Sequence, residues 1–199
     1  MIKLIEIRKE IKGKNILNNI NLQLNEGECI HIKGYNGSGK TMLLRMICGL
    51  IKPDKGKIEY EKKYRYGIII ENPSFFLNET GFYNLKYLAR IRNEIDNNSI
   101  LEIMREFNLY DVKDKKVKTY SLGMKQRLAL CQAFMEEFNV LLLDEPFNAL
   151  DEQNIKILCD RINSSKKAGK IIVIAAHGVV PEGCEFDREI CIENGCVMS

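Results

Sequence analysis

The sequence predicts an α/β fold with a mostly parallel sheet, a small N-terminal antiparallel β flank and a helical insertion. Three observations support this prediction. Residues 1–33 contain runs with the alternation of β-strands, separated by turn residues. Strand signals vanish from about residue 79 to 138, where apolar side chains recur at helical spacing. The apolar run 140–143, a helical pattern from Asp151 and the apolar run 171–175 then give the strand, helix, strand order of parallel sheets.

Length and composition restrict the class of protein. We expect residues 1–199 to form a single domain, with a helical subdomain at about 76–138 inserted in the core. The 30 basic and 27 acidic residues nearly balance, so we expect no nucleic-acid partner. The apolar runs are far shorter than the ~20 residues of a membrane helix, and no secretion signal is visible, so we expect a cytoplasmic protein. The seven cysteines include no C-x-x-C pair, which is typical of reduced thiols.

The other elements follow from turn residues and hydrophobic spacing. A turn signal at 12–15 divides the N-terminal flank into strands. A helix is expected from about Lys40 to Leu50, followed by strands at 57–60 and 64–70. The chain should close with a last strand or a hairpin around Asn194-Gly195.

Residues 34–41 read G-Y-N-G-S-G-K-T and match the phosphate-binding pattern G-x-x-x-x-G-K-[ST] in full. The glycines allow a concave backbone whose N–H groups point inward, and the following helix adds its positive dipole end. Lys40 is expected to reach the β- and γ-phosphates of ATP, and the Thr41 hydroxyl to bind Mg²⁺. The loop therefore predicts a P-loop NTPase (RecA-like) core. The predicted nucleotide contacts are Gly34, Asn36, Gly37, Ser38, Gly39, Lys40, Thr41 and Met42.

Two adjacent carboxylates, Asp144 and Glu145, follow the apolar run 140–143. Ligands of open α/β sheets bind at the carboxyl ends of the strands. We expect Asp144 to hold Mg²⁺ through water, and Glu145 to orient and deprotonate the attacking water. The alternative is a charged loop after a core strand, without a chemical role.

A third motif, Y-S-L-G-M-K-Q-R at residues 120–127, opens a helix and resembles the signature sequence of ABC ATPases. The usual sequence in the family is Leu-Ser-Gly-Gly-Gln, so Ser121 and Gly123 match while the other three positions differ. Ser121 is also a good N-cap, and its hydroxyl, the Gly123 N–H and the helix dipole together would form a second anion site. Residues 148–151 lie where the family has its D-loop, and His177 lies where it has its switch histidine.

The resemblance covers essentially the whole chain and implies a head-to-tail pair with a second copy or a paralogous domain. Ser121 and Gly123 would then bind the nucleotide of the partner, and the loop before Asp151 would touch the partner's site. His177 would hydrogen-bond the γ-phosphate and the Glu145 region. The implied catalytic residues are Lys40, Glu145 and His177.

Two positions depart from the family pattern. Glu71 stands where the family usually has a glutamine that contacts Mg²⁺ and the attacking water, so we expect Glu71 to be a metal ligand. Where an aromatic residue usually stacks on adenine, the best aligned residue is Ile11, which puts base recognition in doubt. Glu71 and the signature wording resemble ATPase subunits of exporters for bacteriocins and peptide antibiotics.

The resemblance implies an ATPase subunit that drives export through a separate membrane permease, bound to the inner face of the membrane through that permease. Residues 73–77, with adjacent Phe75 and Phe76, are expected to dock the permease, unless both rings pack in the core. The alternative is a soluble ABC ATPase that acts in assembly or regulation and moves no solute. A G-protein-like switch would need an Asn-Lys-x-Asp motif, which the sequence lacks.

Overall fold

A computed structural model describes residues 1–71, 74–178 and 180–198 of the chain. The strands in these ranges are β1 Ile2–Ile11, β2 Lys14–Leu24, β3 Cys29–Lys33, β4 Lys55–Tyr60, β5 Tyr66–Ile69, β6 Val140–Asp144, β7 Ile171–Ala175, β8 Arg188–Glu193 and β9 Cys196–Met198. The helices are α1 Lys40–Ile47, α2 Gly81–Arg92, α3 Asn97–Glu106, α4 Leu122–Phe134 and α5 Glu152–Lys167, with 3₁₀ turns at Tyr110–Val112 and Val117–Thr119.

The central sheet has the strand order β5-β6-β7-β3-β8-β9. All neighbours in it are parallel except β8 and β9, which confirms the predicted mostly parallel sheet. Strands β6 and β7 are buried on both faces, and their alternate side chains enter two separate hydrophobic clusters. Because β3, β6 and β7 are parallel neighbours, the loops that follow them meet at one edge of the sheet.

The N-terminal flank is antiparallel, as predicted, and forms a three-stranded sheet in the order β2-β1-β4. Its third strand, β4, comes from beyond residues 1–33, and β3 joins the central sheet instead. The first two strands of the flank are longer than the short strands expected, because bulges interrupt the regular alternation. The pairing of β1 shifts register on both sides near Glu6, whose φ is 50°. A bulge moves the following side chains to the other face, so a continuous bent strand reads in the sequence as separate pieces.

Helices fill the segment between β5 and β6, as the loss of strand signals predicts. α1 ends at Ile47 rather than near Leu50, because Gly49 takes a left-handed conformation (φ 78°) that stops the helix. The Ser121 side chain accepts a hydrogen bond from the Met124 backbone N–H at 3.2 Å and caps α4. That the whole chain is one domain with a helical subdomain at 76–138 stays a prediction.

All seven cysteines are free thiols, four of them buried, as their spacing predicts. Among the described residues, no helix has both the length and the apolar character required to cross a membrane.

Candidate nucleotide-binding site

The loop between β3 and α1 takes a shape that only glycine allows at two of its positions. A Cβ atom on Gly34 would lie 2.3 Å from the Ile192 carbonyl oxygen, and one on Gly39 would lie 2.9 Å from the Ile16 carbonyl oxygen. Gly39, with φ 111°, immediately precedes α1 and offers no side-chain cap to the helix. The first backbone N–H groups of α1 are therefore free to bind a ligand.

This loop forms one wall of a cleft of about 320 Å³. The cleft brings together predicted nucleotide, metal and catalytic residues from β6, α1 and the segment after β5. The lining residues are Ile16, Asn36, Gly37, Gly39, Lys40, Thr41, Met42, Arg45, Glu71, Asp144 and Glu145. Two cations and three carboxylates thus share one cleft, an arrangement suited to a polyphosphate carrying a divalent metal ion.

Lys40 is 95% buried at the start of α1, with 5% of its surface exposed. Its Nζ atom donates hydrogen bonds to the carbonyl oxygens of Gly34, at 2.7 Å, and Tyr35, at 3.3 Å. The ammonium group is therefore held by the loop that it is predicted to complete. A phosphate in the cleft would offer it a charged acceptor in place of these two neutral ones.

Thr41 and Asp144, both predicted metal ligands, are in direct contact. The Thr41 hydroxyl donates to Asp144 Oδ2 at 2.6 Å. Burial raises the pKa of the Asp144 carboxyl, and the Thr41 hydrogen bond acts in the opposite direction. A hydroxyl and a carboxylate are the hard oxygen ligands that Mg²⁺ prefers, so the residues fit this ion. Within the described residues no three Asp, Glu, His or Cys side chains form a metal cluster, and Mg²⁺ characteristically takes its other ligands from phosphates and water.

Glu145 and His177 meet at the rim of the cleft. His177 Nδ1 lies 2.6 Å from Glu145 Oε1, and because a carboxylate only accepts, Nδ1 carries the proton. Glu145 has φ 50°, and its backbone N–H donates to the Ala175 carbonyl oxygen at 2.7 Å. Gln126 of α4 donates to the Pro146 carbonyl oxygen at 3.0 Å. The backbone that carries Glu145 is thus held by contacts from β7 and α4, and its carboxylate by the predicted switch histidine.

Glu71 follows β5, next to β6, and lines the cleft in a left-handed conformation with φ 60°. Its Oε2 atom is 2.6 Å from Nη2 of Arg45, which also lines the cleft. The negative charge that distinguishes Glu71 from the usual glutamine is therefore balanced by a cation on α1.

Comparison with known proteins identifies the family. The profile of the ABC transporter family matches residues 17–148, which is more than half of the chain. This chain belongs to the ABC transporter family. It is 38% identical over 186 residues to the uncharacterized ABC transporter ATP-binding protein YybJ of Bacillus subtilis (strain 168), covering 89% of this chain and 85% of YybJ.

Two further comparisons agree with this membership. The chain is 31% identical over 184 residues to the lantibiotic transport ATP-binding protein SrtF of Streptococcus pyogenes, covering 89% of this chain and 80% of SrtF. Its fold matches the dimeric structure of MJ0796, a bacterial ABC transporter cassette, with a TM-score of 0.88 and 24% identity over 100% of this chain and 97% of that chain. Several other relatives are longer, and this chain spans 59–64% of their length.

The two halves expected of an ABC nucleotide site lie apart in this chain. Ser121 and Gly123, at the start of α4, do not line the cleft. Gly123 packs closely against the 148–151 loop, since a Cβ atom on it would lie 2.6 Å from the Ala149 carbonyl oxygen. Asp151 in this loop accepts from the Asn154 backbone N–H at 2.8 Å and caps α5.

Within the phosphate loop, Gly34 and Ser38 also stay outside the cleft lining. Gly34 faces the backbone of β8, and the buried Ser38 hydroxyl has no hydrogen-bond partner among the described residues. Arg45 and Gln126 take part in the site although no motif assigned them a role. Helical spacing could have indicated Arg45, because it lies one turn after Thr41 on the same face of α1. The contacts of Gln126 with the segment after β6 could not be read from local sequence.

Where the family stacks an aromatic ring on adenine, the best aligned residue of this chain is the aliphatic Ile11. Ile11 is at the end of β1 and does not line the cleft, whereas Ile16 of β2 does. The part of the lining that the structure describes includes no aromatic side chain. His31, the second histidine, is buried in β3 beside Glu189, with 3.1 Å between Nδ1 and Oε2, away from the cleft.

Proposed function

We propose that this chain is the ATP-hydrolysing subunit of an ABC transporter and drives export of a peptide, an antibiotic or a similar compound through a separate membrane permease. One observation carries the proposal: a single cleft unites the loop with Lys40, the Thr41–Asp144 pair and Glu145, which His177 contacts from outside the lining. The class of exported compound is supported by the relative SrtF, which is named a lantibiotic transport protein. The proposed location is the cytoplasmic face of the membrane, through the permease.

In this proposal the phosphate loop binds the phosphates of ATP. The contacts are the backbone of Asn36, Gly37, Gly39 and Met42 together with the side chains of Lys40 and Thr41, which all line the cleft. Gly34 and Ser38 lie outside the lining, and their contacts with the nucleotide stay a prediction. Thr41, Asp144 and Glu71 would hold Mg²⁺, which when bound neutralises charge on the phosphate oxygens. Without the metal, Arg45 binds one carboxylate oxygen of Glu71. Glu71 would leave Arg45 when it binds Mg²⁺.

Glu145 would accept the proton of the attacking water. His177 is proposed to keep the Glu145 carboxylate in position and to hydrogen-bond the γ-phosphate. The fixed backbone around Glu145 supports this role, because a general base must be held within hydrogen-bond distance of the water. Lys40 would stabilise the negative charge that develops on the transferred phosphoryl group.

A second copy or a paralogous domain would complete each site with its own Ser121 and Gly123. Two features support this partner. The start of α4 carries Leu122, which is 70% exposed beside the signature residues. Exposed apolar side chains next to polar groups are common at protein interfaces. The structural neighbour MJ0796 forms a dimeric structure.

The permease would bind an aromatic patch formed by Phe76, Leu77, Tyr83 and Tyr87. All four side chains are between 43% and 51% exposed. The ring of Phe76 meets Tyr83 and Tyr87 edge-on, with centroids 6.5 and 5.0 Å apart. Phe75, predicted to dock with Phe76, is half-buried and packs on the hydrophobic core instead. Pro73 of the predicted docking segment lies outside the described residues.

The first test is phosphate release from ATP and Mg²⁺ by the purified chain. Release that depends on Mg²⁺ is expected, and a chain that binds ATP but never hydrolyses it, alone or with a permease, would contradict the proposal. The second test compares membrane recruitment of Tyr87→Asp with that of Met198→Asp, an equally exposed control on β9. We expect membrane recruitment to be lost for Tyr87→Asp and retained for Met198→Asp. Equal recruitment of both folded variants would favour the soluble alternative or another docking surface.

A further inference from the structure

We propose that Tyr35 and Asn194 form a clamp that holds the phosphate loop in its nucleotide-binding shape. Tyr35 is the second residue of the loop, and Asn194 is in the turn between β8 and β9. Tyr35 would thus be a positioning residue for ATP, acting through the loop backbone. The inference rests on the proposed nucleotide site.

The clamp consists of two hydrogen bonds between the same two residues. The Tyr35 hydroxyl donates to Asn194 Oδ1 at 2.5 Å and accepts from the Asn194 backbone N–H at 3.2 Å. The phenol oxygen therefore uses both its donor and an acceptor site on one turn. A ring that is 51% exposed has little other packing to hold it, so these two bonds define its position.

The turn that carries Asn194 is itself fixed against the core. Asn194 and Gly195 have φ of 48° and 77°, the pair of left-handed residues typical of a tight hairpin turn. The Gly195 carbonyl accepts from the Asn18 N–H of β2 at 2.8 Å. A Cβ atom on Gly195 would lie 2.5 Å from the Ile16 carbonyl oxygen, so the turn sits directly on β2. Asn194 is therefore a rigid anchor rather than a mobile tip.

The same hairpin touches the phosphate loop at two more points. The Gly195 N–H donates to the Ser38 carbonyl at 3.2 Å. Gly34 approaches the Ile192 carbonyl so closely that no side chain would fit. These contacts are made by backbone atoms at the first and the fifth residue of the loop. Tyr35 supplies the side-chain contact between them, at the point where the loop starts to curve.

The position of Tyr35 matters because Lys40 depends on it. The Lys40 ammonium is bound by the carbonyl oxygens of Gly34 and Tyr35. Without the side-chain tether to Asn194, the Tyr35 backbone and its carbonyl would be freer to move, and the loop would sample shapes that do not fit a phosphate. Fixing a binding loop in advance increases affinity because less conformational entropy is lost on binding. A hydrogen bond contributes about 0.5–1.5 kcal/mol, so we expect its loss to weaken ATP binding about two- to tenfold.

Three variants separate the clamp from general stability. Tyr35→Phe removes only the hydroxyl and both hydrogen bonds. Asn194→Gly keeps the left-handed turn, which glycine favours, but removes the Oδ1 acceptor. Tyr110→Phe is the matched control, since its hydroxyl is remote from the loop and its ring lies over Arg105 and Lys113. Each variant is compared with the wild-type chain for ATP dissociation constant, kcat and hydrogen exchange of the loop amides without nucleotide.

Tyr35→Phe should raise the dissociation constant and KM about two- to tenfold, with kcat at saturating ATP almost unchanged. Exchange of the loop amides should accelerate, and the double variant Tyr35→Phe/Asn194→Gly should be no weaker than Tyr35→Phe alone. Unchanged affinity and exchange in Tyr35→Phe, or additive losses in the double variant, would overturn the clamp. If the wild-type chain bound no ATP, the proposed function would fail, while exchange in the nucleotide-free chain would still test the clamp.

Discussion

Two helix starts in this molecule, those of α1 and α4, differ in how their first N–H groups are bound. α1 begins after Gly39 with no side-chain cap, and its start lines a cleft that also contains Lys40 and three carboxylates. α4 begins after Ser121, whose hydroxyl already caps the Met124 N–H. Its start has no place in that cleft, and it carries the exposed Leu122.

This difference suggests that the start of α1 suits a ligand bound by this chain, and that the start of α4 suits a ligand bound by a partner chain. Unpaired N–H groups at a helix end require acceptors, and α1 has none of its own at that point. At α4 the Ser121 hydroxyl already accepts a hydrogen bond from one of the first N–H groups. This helix start can therefore contribute to an anion site but binds an anion weakly alone. We therefore expect perturbations at α1 to affect nucleotide binding by one chain, and perturbations at α4 to affect turnover by a pair.

The largest effect is expected from Glu145→Gln. The amide keeps the shape of the side chain but cannot accept the proton of water, so hydrolysis should fall about 100-fold or more. ATP binding should survive, and the pair of chains should persist with ATP and Mg²⁺ in size-exclusion chromatography. Hydrolysis near the wild-type rate would remove Glu145 from the role of general base.

Lys40→Met should weaken ATP binding to the isolated chain roughly 10- to 100-fold, because a charged hydrogen bond contributes about 1.5–3 kcal/mol. Ser121→Asp is the matched change at α4, since aspartate keeps the N-cap but places a negative charge near the partner's phosphates. It should leave ATP binding by one chain unchanged and lower hydrolysis by the pair. Titration of a fluorescent ATP analogue and phosphate release measure the two effects. If Ser121→Asp hydrolyses ATP normally, Ser121 is only a helix cap.

A smaller effect is expected where Arg45 and Glu71 meet. Glu71→Gln removes a carboxylate from the proposed metal site, so Mg²⁺ at half-maximal hydrolysis should rise several-fold. Arg45→Met removes the cation that competes for that carboxylate, so the same quantity should fall. The rate of ATP hydrolysis, measured as a function of Mg²⁺ concentration for the two variants, tests both expectations. Superimposable curves for wild type and Glu71→Gln would leave Glu71 without a role at the metal.

The smallest effect concerns the base of the nucleotide. Because Ile16 rather than an aromatic ring lines the cleft, little binding energy should come from the base. GTP should be hydrolysed at a rate comparable to ATP in competition assays with both nucleotides. A preference for ATP beyond about 100-fold, roughly 2.7 kcal/mol, would show that another group reads the base.

The sequence predicted the parts of the site that are encoded in contiguous residues. The phosphate loop, the Asp144-Glu145 pair and the Ser121 cap each depend on neighbours within a few positions, so local pattern and chemistry were sufficient. His177 was placed only through the family resemblance, and the structure brings it to Glu145. The Arg45–Glu71 pair joins residues from two elements, and local sequence carries no signal for such a contact.

The fold, like the site, was predictable where it depends on local sequence. The parallel core followed from the alternation of strands and helices, whereas the strand order and the length of β1 did not. Its bulge near Glu6 reverses the inward and outward alternation, and that reversal looks like the end of a strand. The exposure of Phe76 and the burial of Phe75 also depend on how the loop packs, which two adjacent identical residues cannot reveal.

The strand order gives the cleft two sides of unequal local stability. β6 and β7 each have a parallel neighbour on both sides, and they carry Asp144 and Glu145 and lead into His177. β5 has four residues and pairs only with β6 in the described sheet, and it leads to Glu71. Opening a short edge strand breaks fewer hydrogen bonds than opening a central one, so its amides should exchange at a lower free energy. We therefore expect the wall of the cleft at Glu71 to open more easily than the wall at Asp144 and Glu145.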